Sequence, residues 1–423
     1  MEGVGSFPVI KASEICDRTL NPIRKVIETI NIPKGAIPLS IGDPTVFGNL
    51  KTSNVVVDAV KQAVDDFANH GYKQSSGMEC ARQAVATRHS KISGRNLTAD
   101  DVILASGCSG ALEMAIKAVC GPGENILAPL PGFPLYETLT KSNGGEVKYY
   151  PLVPERSWEA DVEAMDAAID EKTRAIMVNN PSNPCGSVFS EQHLKDILAV
   201  AEKHKLPIIS DEIYGNIIFE GHTFFPMAKL TSTVPILEVG GIAKEFMVPG
   251  FRLGWVIVHD SPSTNGETST FSEIRKGLNK LSTLLVGPTT LVQAALPRIL
   301  APEPGSEDAT ALAKFQAESL SQLESNAKLV ADRLCKIRGL KVVVPQGAMY
   351  VMIGIDTELA SGEYKGINDV KFVQGLLDDE LVFLLPGSCF GIENYMRIVF
   401  CAPAAVLEDS CNRIERFCAK VFA

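Results

Sequence analysis

Lys244, Arg252, Asp211 and Asn183 are residues whose types and spacing could do chemistry. Lys244 ends the run Gly240-Gly241-Ile242-Ala243-Lys244, where small neighbours let backbone come close to whatever the amine reaches. A lysine held in a tight, partly apolar pocket sheds its proton and attacks carbonyl carbon. Arg252 follows beyond the Pro249-Gly250 corner, and a guanidinium clamps a phosphate in a two-pronged geometry. The pair suits a ligand with an aldehyde at one end and a phosphate at the other, as in pyridoxal 5'-phosphate (PLP). A single lysine is most often a solvated surface cation. With 40 basic residues in the chain, the pair gains meaning only from matching groups elsewhere.

Such groups follow apolar runs. The predicted strand Ala175-Ile176-Met177-Val178 runs into Asn179-Asn180-Pro181-Ser182-Asn183-Pro184-Cys185-Gly186. That is a stiff loop at a strand's C-terminal end, where open α/β sheets bind ligands, and Asn183 offers an amide from it. The run Leu206 to Ser210 delivers Asp211, either to pair with a protonated ring nitrogen or to cap a helix. Tyr214, three residues on, is placed to donate to a phenolate oxygen. Val102 to Ala105 reads as a strand, Ser106 to Gly110 as a small-residue loop containing Gly107, Cys108 and Ser109, and Ala111 to Val119 as a helix. Strand, loop and helix together present free N–H groups to an anion. The glycine spacing fits neither a Walker loop nor a dinucleotide fingerprint.

Four further residues carry weaker signals. Phe133, in the turn Pro129 to Tyr136, either stacks on a flat ligand or caps the core. Gly42, in Ile41-Gly42-Asp43-Pro44, either admits a ligand carboxylate to the backbone or merely punctuates the turn. Tyr72 alone reads as a half-buried packing residue. Arg397 lies mid-strand in Met396-Arg397-Ile398-Val399 and needs a partner, either an ion pair or a substrate carboxylate.

The elements that must position these groups fit a two-domain α/β protein. The 423 residues exceed one simple core, and strand and helix patterns alternate from Asp101 onward. Hydrophobic residues make up 45% and charged residues 21%, ordinary for a globular chain. The net charge of −10 argues against nucleic acid or an anionic membrane as partner. No apolar run reaches the length of a membrane span, Leu284 to Ala301 being interrupted by prolines and Arg298. Ten cysteines with no C-x-x-C pair and six histidines with no paired spacing argue against a metal site or disulfide framework. A cytoplasmic location is expected.

The order Asn-Pro-x-Asn-Pro-x-Gly, Asp-x-x-Tyr, Lys with Arg eight later, then a late Arg resembles the fold-type I PLP-dependent aminotransferases. The stretches Leu39 to Leu50, Asn180 to Ser187, Asp211 to Gly215 and Val248 to Trp255 are similar to the tyrosine-directed branch of that family. The resemblance implies a mostly parallel central sheet in a large PLP-binding domain over about 71–308. A smaller α+β domain would combine residues 1–70, including an N-terminal arm, with 309–423. It further implies that Lys244 bonds the aldehyde and shuttles a proton, that Asp211 keeps the pyridine nitrogen protonated, and that Asn183 and Tyr214 bind the ring oxygen. Gly107, Cys108, Ser109 and Arg252 would hold the phosphate, Phe133 would stack on the ring, and Tyr72 would reach the neighbouring subunit's phosphate in a homodimer. Arg397 would clamp the substrate carboxylate, assisted by Asn183 and the Gly42 backbone.

The implied reaction is transamination of L-tyrosine and related aromatic amino acids with 2-oxoglutarate. Alternatives are a broader aminotransferase, a PLP-dependent C–S lyase, or a non-catalytic module. Glu245, next to Lys244, would raise a lysine's pKa if it faced the site, and is expected to point away. Lys280-Leu281-Ser282-Thr283 carries no arginine where aspartate-directed members hold a distal carboxylate. Acceptance of 2-oxoglutarate then requires another group.

Overall fold

A computed structural model describes residues 9–261 and 269–423. Its larger sheet has eight strands. Their order is Val102–Ser106, Leu253–His259, Ile236–Gly241, Ile208–Asp211, Thr173–Asn179, Asn125–Leu130, Glu146–Val153 and Glu159–Ala160. The five from Ile236–Gly241 to Glu146–Val153 run parallel. Leu253–His259 runs against both of its neighbours. The central strands are almost wholly buried, because helices cover both faces, and this is why their sequences read as continuous apolar runs.

One face of this sheet packs on the helix Gly107–Val119, whose Ala111, Leu112, Ala115 and Ile116 meet Ile126, Met177, Ile209 and Val239. The opposite face carries Glu191–His204 at one end, and Glu79–Ser93 with Thr290–Leu300 at the other. Ser190 caps Glu191–His204 by accepting from His193 N at 3.2 Å, which satisfies one of the free donors of the first turn.

A second, antiparallel sheet has the order Leu340–Val342, Tyr350–Ile355, Tyr395–Val399, Leu385–Pro386. It is covered by Glu307–Leu334, Asp369–Glu380 and Ala404–Val421 around Leu334, Phe372, Ile414 and Phe417. The N-terminal strand Ile37–Pro38 pairs in parallel with Val382–Phe383. Among the described residues no helix is long and apolar enough to cross a membrane.

One local expectation is corrected. Ser106 to Gly110 is not a loop: the helix begins at Gly107 itself. Gly107 has φ +69°, a backbone state that glycine enters without strain, and the chain turns from strand to helix in one residue. The apolar run Val382 to Leu385 is shared between two sheets. Val382–Phe383 joins Ile37–Pro38, while Leu385–Pro386 joins Met396 and Arg397.

Candidate active site

The ends of three adjacent strands, Asn179, Asp211 and Gly241, open on one side of the large sheet. A cavity of about 380 Å³ lies there, between the two sheets. This matches the general location of ligands in open α/β sheets, beyond the carboxyl ends of the strands, and the size of a small-molecule site.

Asp211 closes its strand and turns a buried carboxylate into this space. Tyr136 Oη donates to its Oδ2 at 2.8 Å, and Ile213 N donates to Oδ1 at 3.3 Å. The Cys108 thiol lies 3.7 Å from Oδ1. Burial pushes the Asp211 carboxyl up to about 6, against the downward pull of Tyr136, Ile213 and Cys108. A buried carboxylate with three neutral donors, and no cation on it among the described residues, is poised to accept a cationic partner.

Lys244 is half-buried and donates to the Gly42 carbonyl at 2.5 Å. It follows the strand Ile236–Gly241 directly, and so reaches the same cavity as Asp211. Arg252 sits at the start of Leu253–His259 with φ +51°. Its guanidinium lies against the first residues of Gly107–Val119, donating to Ser106 O at 3.3 Å. A Cβ on Gly107 would fall 2.6 Å from Arg252 Nη2, so glycine is what lets the guanidinium approach this helix terminus. Cys108 and Ser109 line the cavity at that terminus. Free N–H groups, the helix dipole and a guanidinium converge there, as an anion requires.

Arg397 stands on the opposite wall, almost fully buried at 2% exposure. Nη1 donates to Asn183 Oδ1 at 2.8 Å and Nη2 to Ser40 O at 2.6 Å, while Nε has no partner among the described residues. The guanidinium is held between the rings of Tyr350 and Phe390, at 4.5 and 4.6 Å from their centroids. No carboxylate pairs with it among the described residues, so burial holds its pKa below the usual arginine value. A buried charge in this state calls for an anion from outside the chain.

Asn183 is fixed from behind, its N donating to Asn179 Oδ1 at 2.7 Å. Tyr214 and Tyr350 touch through their hydroxyls at 2.6 Å. Burial first, then the neighbouring Tyr350, pushes the Tyr214 phenol well above its ordinary range, so it stays protonated and able to donate. Phe133 lines the cavity edge-on to Tyr136, with centroids 5.7 Å apart.

The cavity thus brings together Lys244, Asp211, Tyr214 and Asn183 with the residues at the helix terminus, Phe133, Gly42 and Arg397. Tyr72 is not among them. It is 92% exposed and makes no contact with the cavity of its own chain. Glu245 points away from the site, where its Oε1 meets Arg88 Nη2 at 2.5 Å and its Oε2 accepts from Asn216 at 3.0 Å. Tyr136, Tyr350 and Phe390 go unnoticed in the sequence. Tyr136 offers a faint signal, three residues after Phe133. Tyr350 and Phe390 offer none, because both meet Arg397 only through the tertiary fold.

The family model described as aminotransferase class I and II matches residues 34–414. The chain is 45% identical over 413 residues to tyrosine aminotransferase of Mus musculus, covering 97% of this chain and 87% of that protein. It is 44% identical over 416 residues to tyrosine aminotransferase of Dictyostelium discoideum, covering 97% and 96%. The crystal structure of tyrosine aminotransferase from Leishmania infantum superposes with a TM-score of 0.91 at 34% identity, covering 99% of this chain and all of that one.

Proposed function

Since the chain belongs to the class I and II aminotransferase family, we propose that it binds PLP and moves the amino group of L-tyrosine and related aromatic amino acids to 2-oxoglutarate. The products are 4-hydroxyphenylpyruvate and glutamate. The observation that carries this reading is Arg397: a buried guanidinium with an unpartnered Nε and no carboxylate of its own, in the same cavity as Lys244 and Asp211.

The residues present fit the cofactor. Asp211, buried and lacking a cation, accepts the ring N–H. The terminus of Gly107–Val119, narrowed by Arg252 against Gly107, receives the phosphate. Bound there, PLP supplies an aldehyde that condenses with amines and a ring that takes up electron density from the substrate Cα. The chain supplies the rest. Lys244 Nζ is the amine placed for the aldehyde carbon, and the base that takes the Cα proton and returns it. Asp211 stays anionic so that the ring nitrogen stays protonated. Tyr214 and Asn183 donate to the ring oxygen, Tyr214 being kept protonated by burial. Arg397 grips the α-carboxylate through its fork, with Asn183 bracing one nitrogen at 2.8 Å. Ile23, Ile27 and Ile41 line the remaining wall, an apolar surface suited to an aromatic ring.

The working unit is a homodimer. Phe67, Tyr72, Leu284 and Leu285 are all more than two-thirds exposed, a loss of apolar burial that a second copy would recover. The partner covering this face is also what would bring Tyr72 to a phosphate. Ten free cysteines accord with a reducing cytoplasm.

The test is to supply the purified protein with PLP, L-tyrosine and 2-oxoglutarate. Formation of 4-hydroxyphenylpyruvate with equimolar glutamate supports the reading. Ammonia and pyruvate from a sulfur amino acid, with no amino transfer, would replace it with a lyase. Bound PLP that reacts with no amino acid would replace it with a non-catalytic role.

A further inference from the structure

Resting on the transamination reading, we infer that Arg24 is the group that holds the distal carboxylate of the dicarboxylic substrates, 2-oxoglutarate and glutamate.

Charges of both signs line the cavity. Four cations do so, Arg24, Lys244, Arg252 and Arg397, against the single carboxylate of Asp211. Three have work in any substrate the site receives: Lys244 at the aldehyde, Arg252 at the phosphate and Arg397 at the α-carboxylate. Arg24 has none. It forms no ion pair with any carboxylate among the described residues, and its backbone N donates to Asn21 Oδ1 at 3.3 Å. A monocarboxylic substrate leaves it idle, whereas a dicarboxylic one brings one more anion than Arg397 can take.

The helix Pro22–Thr29 explains how one wall serves two kinds of side chain. Asn21 caps it, accepting from Ile23 N at 3.1 Å as well as from Arg24 N. Ile23 also packs, with Val26, against Cys389 and Phe390, and Phe390 is the ring on one side of Arg397. The helix is therefore anchored beside the α-carboxylate clamp. Ile23 and Ile27 stand one turn apart on the side that lines the cavity, and Arg24 borders them. An aromatic ring meets the isoleucines. A carboxylate at the end of a short chain meets the guanidinium, whose exposed, flexible stem can swing out to solvent when it is not needed.

The experiment compares wild type, Arg24→Gln and Arg24→Lys, each loaded with PLP. Reactions with 2-oxoglutarate and with phenylpyruvate as amino acceptors are measured separately. For Arg24→Gln the ratio of kcat/KM for 2-oxoglutarate over phenylpyruvate is expected to fall about tenfold, the worth of one charge-assisted contact. Arg24→Lys is expected to recover part of it, since charge is kept and the fork is lost. An unchanged ratio in Arg24→Gln, with wild type active toward both acceptors, overturns the assignment of Arg24 and leaves the transamination reading standing. A wild-type protein that exchanges amino groups with neither acceptor overturns both. Because Arg24 is exposed and forms no ion pair among the described residues, the variants are expected to melt with wild type, and the ratio compares two acceptors in one folded sample.

Discussion

Arg397 and Asn183, 214 residues apart in sequence, meet through a 2.8 Å hydrogen bond inside the cavity. The bond joins the antiparallel sheet to the loop that leaves the parallel one. It also fixes the guanidinium with Nε unpartnered. Replacing Arg397 with Gln is expected to cost about 3 kcal/mol of substrate recognition, or about a hundredfold in kcat/KM for every amino acid tested. Steady-state kinetics check this. A loss confined to one substrate class would place the α-carboxylate elsewhere.

Asp211 gives a pH dependence with a definite sign. Burial raises its carboxyl to about 6 in the cofactor-free chain. The native state then holds a proton that the unfolded state releases near pH 4, so stability from this group is full below about pH 4 and falls as pH rises through about 6. PLP affinity moves the opposite way, rising across the same window as the carboxylate ionises and can pair with the ring cation. Titrating cofactor-free protein with PLP from pH 5 to 8 checks this, and Asp211→Asn is expected to lose the step.

Gly254 opposes the start of the phosphate-facing helix. A Cβ there would lie 2.4 Å from Gly107 C and 2.5 Å from Cys108 N, backbone atoms that cannot give way without moving the helix terminus. Gly254→Ala is expected to weaken PLP far more than it weakens pyridoxal, which lacks the phosphate. Equilibrium titration with the two ligands is the check.

Glu245 and Arg88 form a buried pair on the far side of Lys244, with side chains 6% and 17% exposed. Removing the arginine strands the carboxylate with only neutral donors. Arg88→Ala is expected to destabilise the protein by about 3 kcal/mol in a denaturant melt. Arg88→Lys, which keeps the charge, is expected to lose less.

Much of the site is legible in the sequence for one physical reason. Central strands buried on both faces show as short apolar runs; Asp211 ends one, and Asn183 and Lys244 follow shortly after theirs. Parallel neighbours then bring those ends to one edge of the sheet. Tyr350 and Phe390 are illegible because their roles come from tertiary register, and Tyr136 is only faintly legible. Tyr350 pairs with Val399 across the antiparallel sheet, which is what sets its ring under Arg397 and its hydroxyl on Tyr214. The split of Val382 to Leu385 between two sheets is hidden likewise, since its residues are apolar throughout. Tyr72 shows the limit in the other direction: its resemblance-based role needs a second chain.

The most direct test is reduction of the PLP-loaded protein with borohydride, followed by peptide mass mapping. The cofactor mass is expected on the peptide containing Lys244, with Lys244→Ala left unlabelled and without turnover. Label on a different lysine, or full turnover in Lys244→Ala, would contradict the account.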